Sequence, residues 1–319
     1  MKIEPQRPHS SVQSVEIAEE NADQRLDNFL ISRLKGVPKS RIYRIVRKGE
    51  VRVNKGRVDV KYRLQSGDVV RIPPVRMAET EARIFVPQTL KHSLEQDVLY
   101  EDEVLLVLNK PAGFAVHGGT GLDSAIIEGL RQLRPDAHFL ELVHRLDRDT
   151  SGCLLIAKKR SALRKLHELF RGDGIQKTYL ALLMGQWMQK KQWVTAPLQK
   201  NAGTGGDRMV VVNPSGKASE TLFKRLKLLP QATLVEASPK TGRTHQIRVH
   251  AAWLGHPIIG DDRYGDFERN RAFQKKGYKR LFLHAYRLEF EHPVSGQYLI
   301  VTAPVPQAME NLSNHEETI

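Results

Sequence analysis

The chain has 319 residues, a hydrophobic fraction of 40% and a formal net charge of +14. This length predicts a sizeable core and two domains. No apolar run is long enough to cross a bilayer, and the N-terminal segment lacks the apolar core of a signal peptide, so we expect a cytoplasmic protein with no membrane partner. The single cysteine, Cys153, excludes an intramolecular disulfide and a cysteine-based zinc cluster.

The excess of positive charge is concentrated near the N-terminus. Residues 24–73 contain 14 Lys and Arg against four acidic residues, a net charge of +10, and such an excess indicates a polyanionic partner. Apolar residues at helical spacing predict a first helix with the buried face Leu26, Phe29, Leu30 and Leu34. The same spacing predicts a second helix that begins after a Ser40 N-cap and buries Ile42, Ile45 and Val46. The segment "VRVN" then predicts a strand, and "KGR" a turn.

The basic residues of the second helix and the following strand are candidate contacts to nucleic acid. Few acids interleave with them, unlike the paired pattern of a solvated helix. The stretch "RLDNFLISRLKGVPKSRIYRIVRKGEVRVNKGRV" resembles the S4 RNA-binding domain. The resemblance implies a small α/β domain over residues 24–75 that binds RNA and specifies no reaction. The RNA-contacting residues that we expect are Lys39, Arg41, Arg44, Lys48, Arg52 and Lys55.

The flanking segments carry less information. Residues 1–23 are expected to be an N-terminal tail, and residues 76–97, which have little sustained periodicity, a linker that can include a short helix. Residues 98–319 contain several apolar strands, among them "EVLLVLNKP", "CLLIAKK", "TYLALLMG" and "ATLVEASP". These strands do not alternate regularly with helices. The pattern therefore predicts an α+β domain with a mixed or antiparallel sheet.

Three stretches of this second domain contain more polar groups than packing requires. The stretch "EDEVLLVLNKPAGFAVHGG" contains a predicted buried strand that ends at Lys110. In the stretch "VHRLDRDTSG" several charged residues are clustered directly before another predicted strand. A rigid scaffold can position charged residues at such a place for chemistry. The third, residues 238–265, predicts a helix with Thr244 as N-cap and Gly255 after its end. Arg248 is expected at the border of its buried stripe, formed by Ile247, Ala251 and Leu254.

Together these stretches resemble the pseudouridine synthases that carry an HRLD motif and modify ribosomal and transfer RNA. "HRLDRDTSG" and "TGRTHQIRVH" carry the resemblance, which spans about 220 residues. It implies that Asp147 is the essential carboxylate, that Tyr179 stacks on the uracil ring, and that Arg248 keeps the carboxylate ionised and oriented. It also implies that Arg145 fills the stack vacated by the flipped uridine, and that no cofactor is needed. Whether Asp147 attacks C1′, attacks the base or removes a sugar proton is left open.

Within this family, the chain is most similar to the members that modify large-subunit (23S) ribosomal RNA. We therefore expect that RNA as the partner, and we expect a monomeric enzyme. The principal alternative is a non-catalytic S4-type RNA-binding protein. A base-excising glycosylase would share base flipping and the carboxylate but release free base. A metalloenzyme would have to use His245, His250, His256 and His284, whose spacing fits no common metal motif, so we expect no metal site.

Overall fold

The computed structural model describes residues 11–34, 37–75, 86–118, 125–201 and 209–314. The chain separates into two units, residues 1–84 and 85–319. Residues 1–10 of the predicted tail and 76–85 of the predicted linker lie outside the described residues. In the part of the chain that is described, no helix combines the length and the hydrophobicity needed to span a bilayer.

The first unit packs two helices against a three-stranded antiparallel sheet. In chain order its elements are β1 (Gln13–Glu16), a 3-10 turn (Glu19–Asn21), α1 (Leu26–Arg33), α2 (Lys39–Arg47), β2 (Arg52–Val53) and β3 (Val69–Ile72). The strand order is β1-β3-β2. Both predicted helical faces are confirmed, since all seven apolar residues that define them are at most 5% exposed. Burying these faces against the sheet supplies the driving force for folding this small unit.

Two details of the first unit differ from the sequence-based expectation. Strand β1 lies in the predicted tail and pairs with β3, with Val15 opposite Val70. Alternating side chains of β1 are exposed, so its sequence "QSVE" is too short and polar to stand out. Helix α2 begins at Lys39, two residues before the predicted start, because the Pro38 carbonyl already accepts hydrogen bonds from the backbone amides of Arg41 and Ile42. Ser40 therefore lies in the first turn instead of at the N-cap.

The second unit is built on one large sheet. Its elements are α3 (Gln88–Gln96), β4 (Val98–Glu101), β5 (Leu105–Lys110), α4 (Ile126–Leu133), β6 (Glu141–Leu142), β7 (Ser151–Ala157), α5 (Arg160–Arg171), β8 (Ile175–Met184), β9 (Lys191–Thr195), β10 (Leu198–Lys200), β11 (Val210–Val212), β12 (Glu220–Leu228), β13 (Ala232–Pro239), α6 (Gln246–Trp253), α7 (Phe267–Lys275), β14 (Leu283–Glu291), β15 (Tyr298–Thr302) and α8 (Gln307–Asn314). Helix α3, in the predicted linker, buries Leu90 and Leu94.

Ten strands form the large sheet in the order β4-β5-β7-β14-β8-β13-β12-β9, with β6 paired to β7 and β15 to β14. Strands β7 and β14 run parallel, and the other described pairs are antiparallel. The predicted α+β class with a mixed sheet is confirmed. Strand β7 is covered on both faces, since all seven of its residues are buried. A strand covered on both sides explains the continuous apolar run in "CLLIA".

One row of residues across the central strands positions the candidate site. Lys110 on β5 is opposite Gly152 on β7, and Gly152 is opposite Ala285 on β14. Ala285 is in turn opposite Tyr179 on β8. Residues that are far apart in sequence therefore lie side by side. The "HRLD" turn ends where β7 begins at Ser151, so the row also fixes the position of this turn.

Gly152 has no room for a side chain. Its φ is +103°, and an added Cβ would lie 2.2 Å from the carbonyl oxygen of Ala285. This close approach explains why glycine follows "DTS" at the parallel junction between β7 and β14.

We predict that Gly152→Ala destabilises the second unit by roughly 3 kcal/mol or more, because both the backbone conformation and the neighbouring carbonyl oppose a Cβ. Gly277→Ala is the matched control, since Gly277 has φ +93° and nothing within 4 Å of an added Cβ. The control should cost only about 1 kcal/mol. Urea unfolding of the two variants measures the difference, and equal losses would contradict the steric explanation.

The burial of His284 predicts that the stability of the protein depends on pH. It is fully buried, and burial lowers its pKa to about 4, with the charge of Arg280 acting in the same direction. In the unfolded chain the pKa of His284 is about 6.5. Below this pH the unfolded chain therefore binds a proton at His284 that the folded chain does not bind. Its effect on stability is therefore neutral above pH ~6.5 and increasingly unfavourable as the pH falls toward 4, by about 1.4 kcal/mol per pH unit.

We expect His284→Asn to remove this contribution, since an amide does not titrate and can keep a contact to the Ser151 hydroxyl, 2.8 Å from Nδ1 of His284. The measurement is the free energy of unfolding at pH 7 and pH 5. The loss between these values should be smaller in the variant than in the wild-type protein by up to roughly 2 kcal/mol. The same loss in both proteins would assign the acid sensitivity to other groups.

Candidate active site

The "HRLD" turn is anchored to the sheet by its first residue. Nε2 of His144 accepts a hydrogen bond from the Leu155 backbone amide at 3.0 Å, and its ring stacks on Phe170 with the centroids 5.0 Å apart. Burial lowers the pKa of His144 to about 4, so the ring is a neutral acceptor. Leu146 is buried, whereas Arg145 is exposed and Asp147 is half-buried. His144 thus has a structural role, and the turn presents Arg145 and Asp147 outward.

Lys110 is hydrogen-bonded to the same turn. Its fully buried Nζ donates hydrogen bonds to the carbonyl oxygens of Pro111 at 2.9 Å, Phe114 at 2.8 Å and Arg148 at 2.8 Å. Burial lowers the pKa of Lys110 to about 7, and the charges of Asp149 and Asp147 oppose the shift. Three acceptors match the three protons of an ammonium group. Lys110 therefore ties the loop after β5 to the residue that follows Asp147.

Arg248 connects helix α6 to Asp147. Its guanidinium donates to both carboxylate oxygens of Asp261, at 2.8 and 2.7 Å, and its Nη1 lies 3.3 Å from Oδ2 of Asp147. Arg248 is 5% exposed and Asp261 is fully buried, so this is a buried, bidentate ion pair. Burial alone would lower the pKa of Arg248, but the hydrogen bonds and charge of Asp261 raise it above its ordinary value.

Arg248 is more buried than a position at the border of an apolar stripe predicts, and Asp261 is the reason. Burial raises the pKa of Asp261, but Arg248 outweighs this effect and lowers it. Backbone amides of Arg263 and Tyr264 also donate to Asp261. The carboxylate therefore compensates the buried cation and aims its remaining nitrogen at Asp147.

The loop before α6 is held by Gln246. Its Oε1 accepts from the Thr241 hydroxyl at 2.7 Å and from the Arg243 amide at 3.0 Å, while its Nε2 donates to the Glu220 carbonyl at 2.9 Å. Because Gln246 is buried with its amide partners satisfied, it fixes residues 241–246 against β12. The helix N-cap is His245, in the left-handed conformation, and not the predicted Thr244.

His245 is directed toward Asp147 from this N-cap. Its φ is +54°, a conformation uncommon for residues other than glycine. Its Nδ1 is 2.7 Å from the Tyr264 hydroxyl, and its Nε2 is 3.7 Å from Oδ1 of Asp147. Burial lowers the pKa of His245, and the charge of Asp147 opposes this shift. Two residues of the α6 segment thus face the two oxygens of one carboxylate.

The proposed reacting residues share one cleft. Arg145, Asp147, Tyr179 and Arg248 all line it. Tyr179 projects from β8, and burial, followed by the charge of Asp147, raises its pKa, which keeps the hydroxyl protonated. Lys177, two residues earlier on the same strand, also lines the cleft. Its Nζ lies 5.8 Å from the centroid of the Phe170 ring, and burial lowers its pKa, a shift that the charge of Asp173 opposes.

The six basic residues predicted to contact RNA all lie in the first unit. They are exposed and occupy α2, the residue after it, β2 and the turn after β2: Lys39, Arg41, Arg44, Lys48, Arg52 and Lys55. Arg52 is partly fixed, because its guanidinium donates to the carbonyls of Gly49 and Lys55. All six side chains therefore lie on the surface of the first unit, whereas the residues of the cleft belong to the second unit.

The four histidines considered as metal ligands have separate partners. His250 contacts Ser219 and Thr221, His256 contacts the Met184 carbonyl, and His284 contacts Ser151. Within the described ranges, no group of three or more His, Cys, Asp or Glu side chains is arranged to hold a metal ion.

Sequence reasoning gave no role to several residues of the site. Asp261, Tyr264 and His245 reach it through the fold, and Lys110 was noticed only as the end of a strand. One signal was present in "GDDRYG", where two glycines flank adjacent acids. Gly260 has φ +76° and Gly265 would place a Cβ 2.2 Å from the Asp261 carbonyl, so both glycines serve a tight turn.

Comparisons with known proteins identify the family of the chain. The model of the RNA pseudouridylate synthase family matches residues 104–253, and the model of the S4 domain matches residues 24–70. The chain is 58% identical over 303 residues to "Ribosomal large subunit pseudouridine synthase C" of Salmonella typhimurium and 57% identical over 303 residues to the protein of that name from Escherichia coli. In both cases the match covers 94% of this chain and 95% of the relative.

A solved structure supports the same assignment. Human RNA Pseudouridylate Synthase Domain Containing 4 is 27% identical, with a TM-score of 0.58 over 72% of this chain and 95% of that chain. The chain therefore belongs to the RNA pseudouridylate synthase family and is an isomerase with an N-terminal S4 domain.

We predict that Lys110→Met disorders the "HRLD" turn, because three buried carbonyls lose their donor. Unsatisfied buried acceptors cost about 1–3 kcal/mol each, so a loss of roughly 3 kcal/mol or more in unfolding free energy is expected, together with loss of activity. Lys159→Met is the control, since Lys159 is exposed and paired only with exposed Glu103. Urea unfolding compares the two variants. A Lys110→Met protein as stable as the control would show that the three hydrogen bonds of Lys110 are not needed for stability.

Proposed function

We propose that the protein converts specific uridines of large-subunit (23S) ribosomal RNA to pseudouridine. The observation that carries the proposal is the contact between Asp147 and a buried, ion-paired Arg248 in a cleft that Tyr179 also lines. The reaction breaks the bond from N1 to C1′, rotates the base and rejoins it through C5, with no net redox change. The identity of the RNA comes from the two relatives described above, whose names specify the ribosomal large subunit.

Asp147 is the proposed reacting carboxylate. It is half-buried, with a side chain 20% exposed, so it is shielded from bulk water but open to the cleft. A carboxylate beside the electron-poor sugar carbon can attack it or remove a proton, as in glycosidases. Attack on C1′, attack on the base and abstraction of a sugar proton are all consistent with this position. Arg248 contacts Oδ2 in each case, so Oδ1 is the oxygen that is proposed to react.

Tyr179 and Arg145 are proposed to handle the base and the gap it leaves. The glycosidic bond of a stacked uridine is inaccessible, so the nucleotide must flip out of its helix. A protonated Tyr179 at the cleft wall provides a ring for the uracil to stack on. Arg145 is exposed beside Asp147, so its side chain is free to enter the stack that the uridine has left.

The S4 domain is proposed to add affinity for the RNA, because its exposed basic residues can contact phosphates without reading sequence. Since Asp147, Tyr179 and Arg248 all come from one chain, we propose a monomeric enzyme that works without a cofactor. The site of action would be the cytoplasm, where bacterial ribosomal RNA is made.

The decisive cellular test is a map of pseudouridines in large-subunit ribosomal RNA from cells with and without this protein. We expect specific positions to revert to uridine when the protein is absent. Identical maps would contradict the assignment to this RNA.

We predict that Asp147→Asn lowers turnover roughly 10³-fold or more, because an amide cannot act as nucleophile or base. Asp149→Asn is the control: Asp149 is two residues away and pairs with Arg148 on the surface. It should keep activity within a few-fold of the wild-type enzyme. Tritium release from RNA made with uridine labelled at C5 measures both rates, and circular dichroism checks that both variants are folded. Substantial turnover by Asp147→Asn would exclude Asp147 as the essential group.

We predict that replacing Lys39, Arg41 and Arg44 by Gln weakens binding to protein-free large-subunit RNA and reduces the salt dependence of affinity, by about one unit of slope for each phosphate that is no longer neutralised. The single-turnover rate at saturating enzyme should change little. Arg63→Gln in the same domain is the control, because Arg63 is already paired with Asp23 at 3.0 Å. Titrations at several salt concentrations give the slopes. An unchanged slope in the triple variant would remove α2 from the RNA interface.

A further inference from the structure

We propose that His245 is a positioning residue for Asp147. His245 holds the carboxylate of Asp147 through a proton on Nε2 of its imidazole, and Tyr264 keeps the proton on that nitrogen. The proposal rests on the proposed function in so far as Asp147 is the reacting group. It adds two residues, His245 and Tyr264, to the site and gives each a defined hydrogen-bonding role.

The geometry places His245 between Tyr264 and Asp147. Nδ1 of His245 is 2.7 Å from the Tyr264 hydroxyl, and Nε2 is 3.7 Å from Oδ1 of Asp147. Arg248 approaches the other carboxylate oxygen, with Nη1 3.3 Å from Oδ2. The Tyr264 ring also lies 5.2 Å from the guanidinium carbon of Arg248. One tyrosine therefore contacts both residues that face the carboxylate.

The hydrogen bonds of Tyr264 decide where the imidazole proton lies. Its hydroxyl oxygen accepts a hydrogen bond from the Val210 backbone amide at 3.1 Å, and its one proton needs an acceptor. Among the described residues, Nδ1 of His245 is the acceptor within hydrogen-bonding distance. If Nδ1 accepts from Tyr264, the proton of a neutral imidazole must lie on Nε2. Burial, which lowers the pKa of His245, favours the neutral ring.

This tautomer directs an N–H group at Asp147. In the free protein 3.7 Å is longer than a hydrogen bond, but catalytic contacts often tighten when substrate binds. A small rotation of the carboxylate toward His245 would give both oxygens a donor. A carboxylate held at both oxygens loses rotational freedom, so the reacting lone pair is presented in one direction.

The backbone at His245 fits this role. Its φ of +54° is tolerated by His and Asn better than by most residues, and Gln246 locks the adjoining loop onto β12. The chain therefore holds a residue in an uncommon conformation at the point that faces the carboxylate. Residues in such uncommon conformations persist only where the surrounding structure maintains them, and they are concentrated at functional sites.

The first experiment reads the tautomer without any substrate. Protein labelled with ¹⁵N-histidine gives imidazole resonances in long-range ¹H–¹⁵N spectra, and the His245→Gln spectrum identifies those of His245. We expect Nε2 to be protonated and Nδ1 to be an acceptor. Tyr264→Phe should shift the ring toward a mixture of tautomers. A wild-type ring protonated on Nδ1, or one unaffected by Tyr264→Phe, would overturn the proposal.

Tyr278→Phe is the matched control for the spectra. Tyr278 is also half-buried and makes an edge-to-face contact, with Phe282, as Tyr264 does with His245. The control removes a tyrosine hydroxyl from the same unit and should leave the His245 resonances unchanged.

The second experiment measures turnover of transcribed large-subunit RNA labelled with tritium at C5. We expect Tyr264→Phe and His245→Asn to lower kcat about tenfold with KM within about twofold, because the substrate still binds while the carboxylate loses its orientation. Asn tolerates the left-handed backbone but is too short to reach Asp147. Gln extends to the position of Nε2, so His245→Gln should recover part of the rate.

Each outcome has a defined meaning. If Tyr264→Phe turns over as fast as Tyr278→Phe, the positioning role is wrong. The same conclusion follows if His245→Gln is no faster than His245→Asn. If the wild-type enzyme does not modify this RNA at all, the assignment of the substrate fails, whereas the tautomer spectra still decide whether His245 presents a proton to Asp147.

Discussion

Asp261 accepts two hydrogen bonds from the guanidinium of Arg248, and this buried ion pair decides where the rest of that guanidinium points. With Arg248 only 5% exposed and Asp261 fully buried, neither charge has water as an alternative partner. Separating such a pair typically costs about 3–5 kcal/mol, so the arginine is fixed in one orientation. Its remaining nitrogen then faces Asp147, and the position of the proposed reacting carboxylate depends on a residue that does not touch it.

The sheet supplies the other half of this arrangement. Lys110, Gly152, Ala285 and Tyr179 form one row across four strands, so the "HRLD" turn and the tyrosine are set by strand register. Lys110 fastens the turn to the loop after β5, and Gly152 lets two strands approach too closely for a side chain. Helix α6 then contributes Arg248, and its N-cap contributes His245. Each contribution comes from a different part of the chain.

Several features could be predicted from the sequence, and the exceptions share a physical cause. Helices α1 and α2 were predicted because their buried faces have clear helical spacing, and the mixed sheet because its strands are apolar and irregularly separated. Strand β1 was not predicted, since it is four residues long with alternating exposure. Helix α3 was expected only as a possible short helix in a linker, since it buries only Leu90 and Leu94. Pro38 and His245, at the N-caps of α2 and α6, lack a side-chain capping hydrogen bond, so preferences for capping residues pointed to the wrong positions.

For the candidate site, the sequence by itself determined the chemistry that is available. The clustered charges of "VHRLDRDTSG", the tyrosine after "QKT" and the arginine of "HQIR" were visible as residue types and spacings. Only the tertiary structure decided which of these groups meet. Asp261 and Tyr264 were not given a role, because a hydrogen bond from Arg248 or His245 is a short-range, directional contact between residues brought together by folding. Local patterns report which face of an element is buried, whereas such contacts depend on how the elements pack.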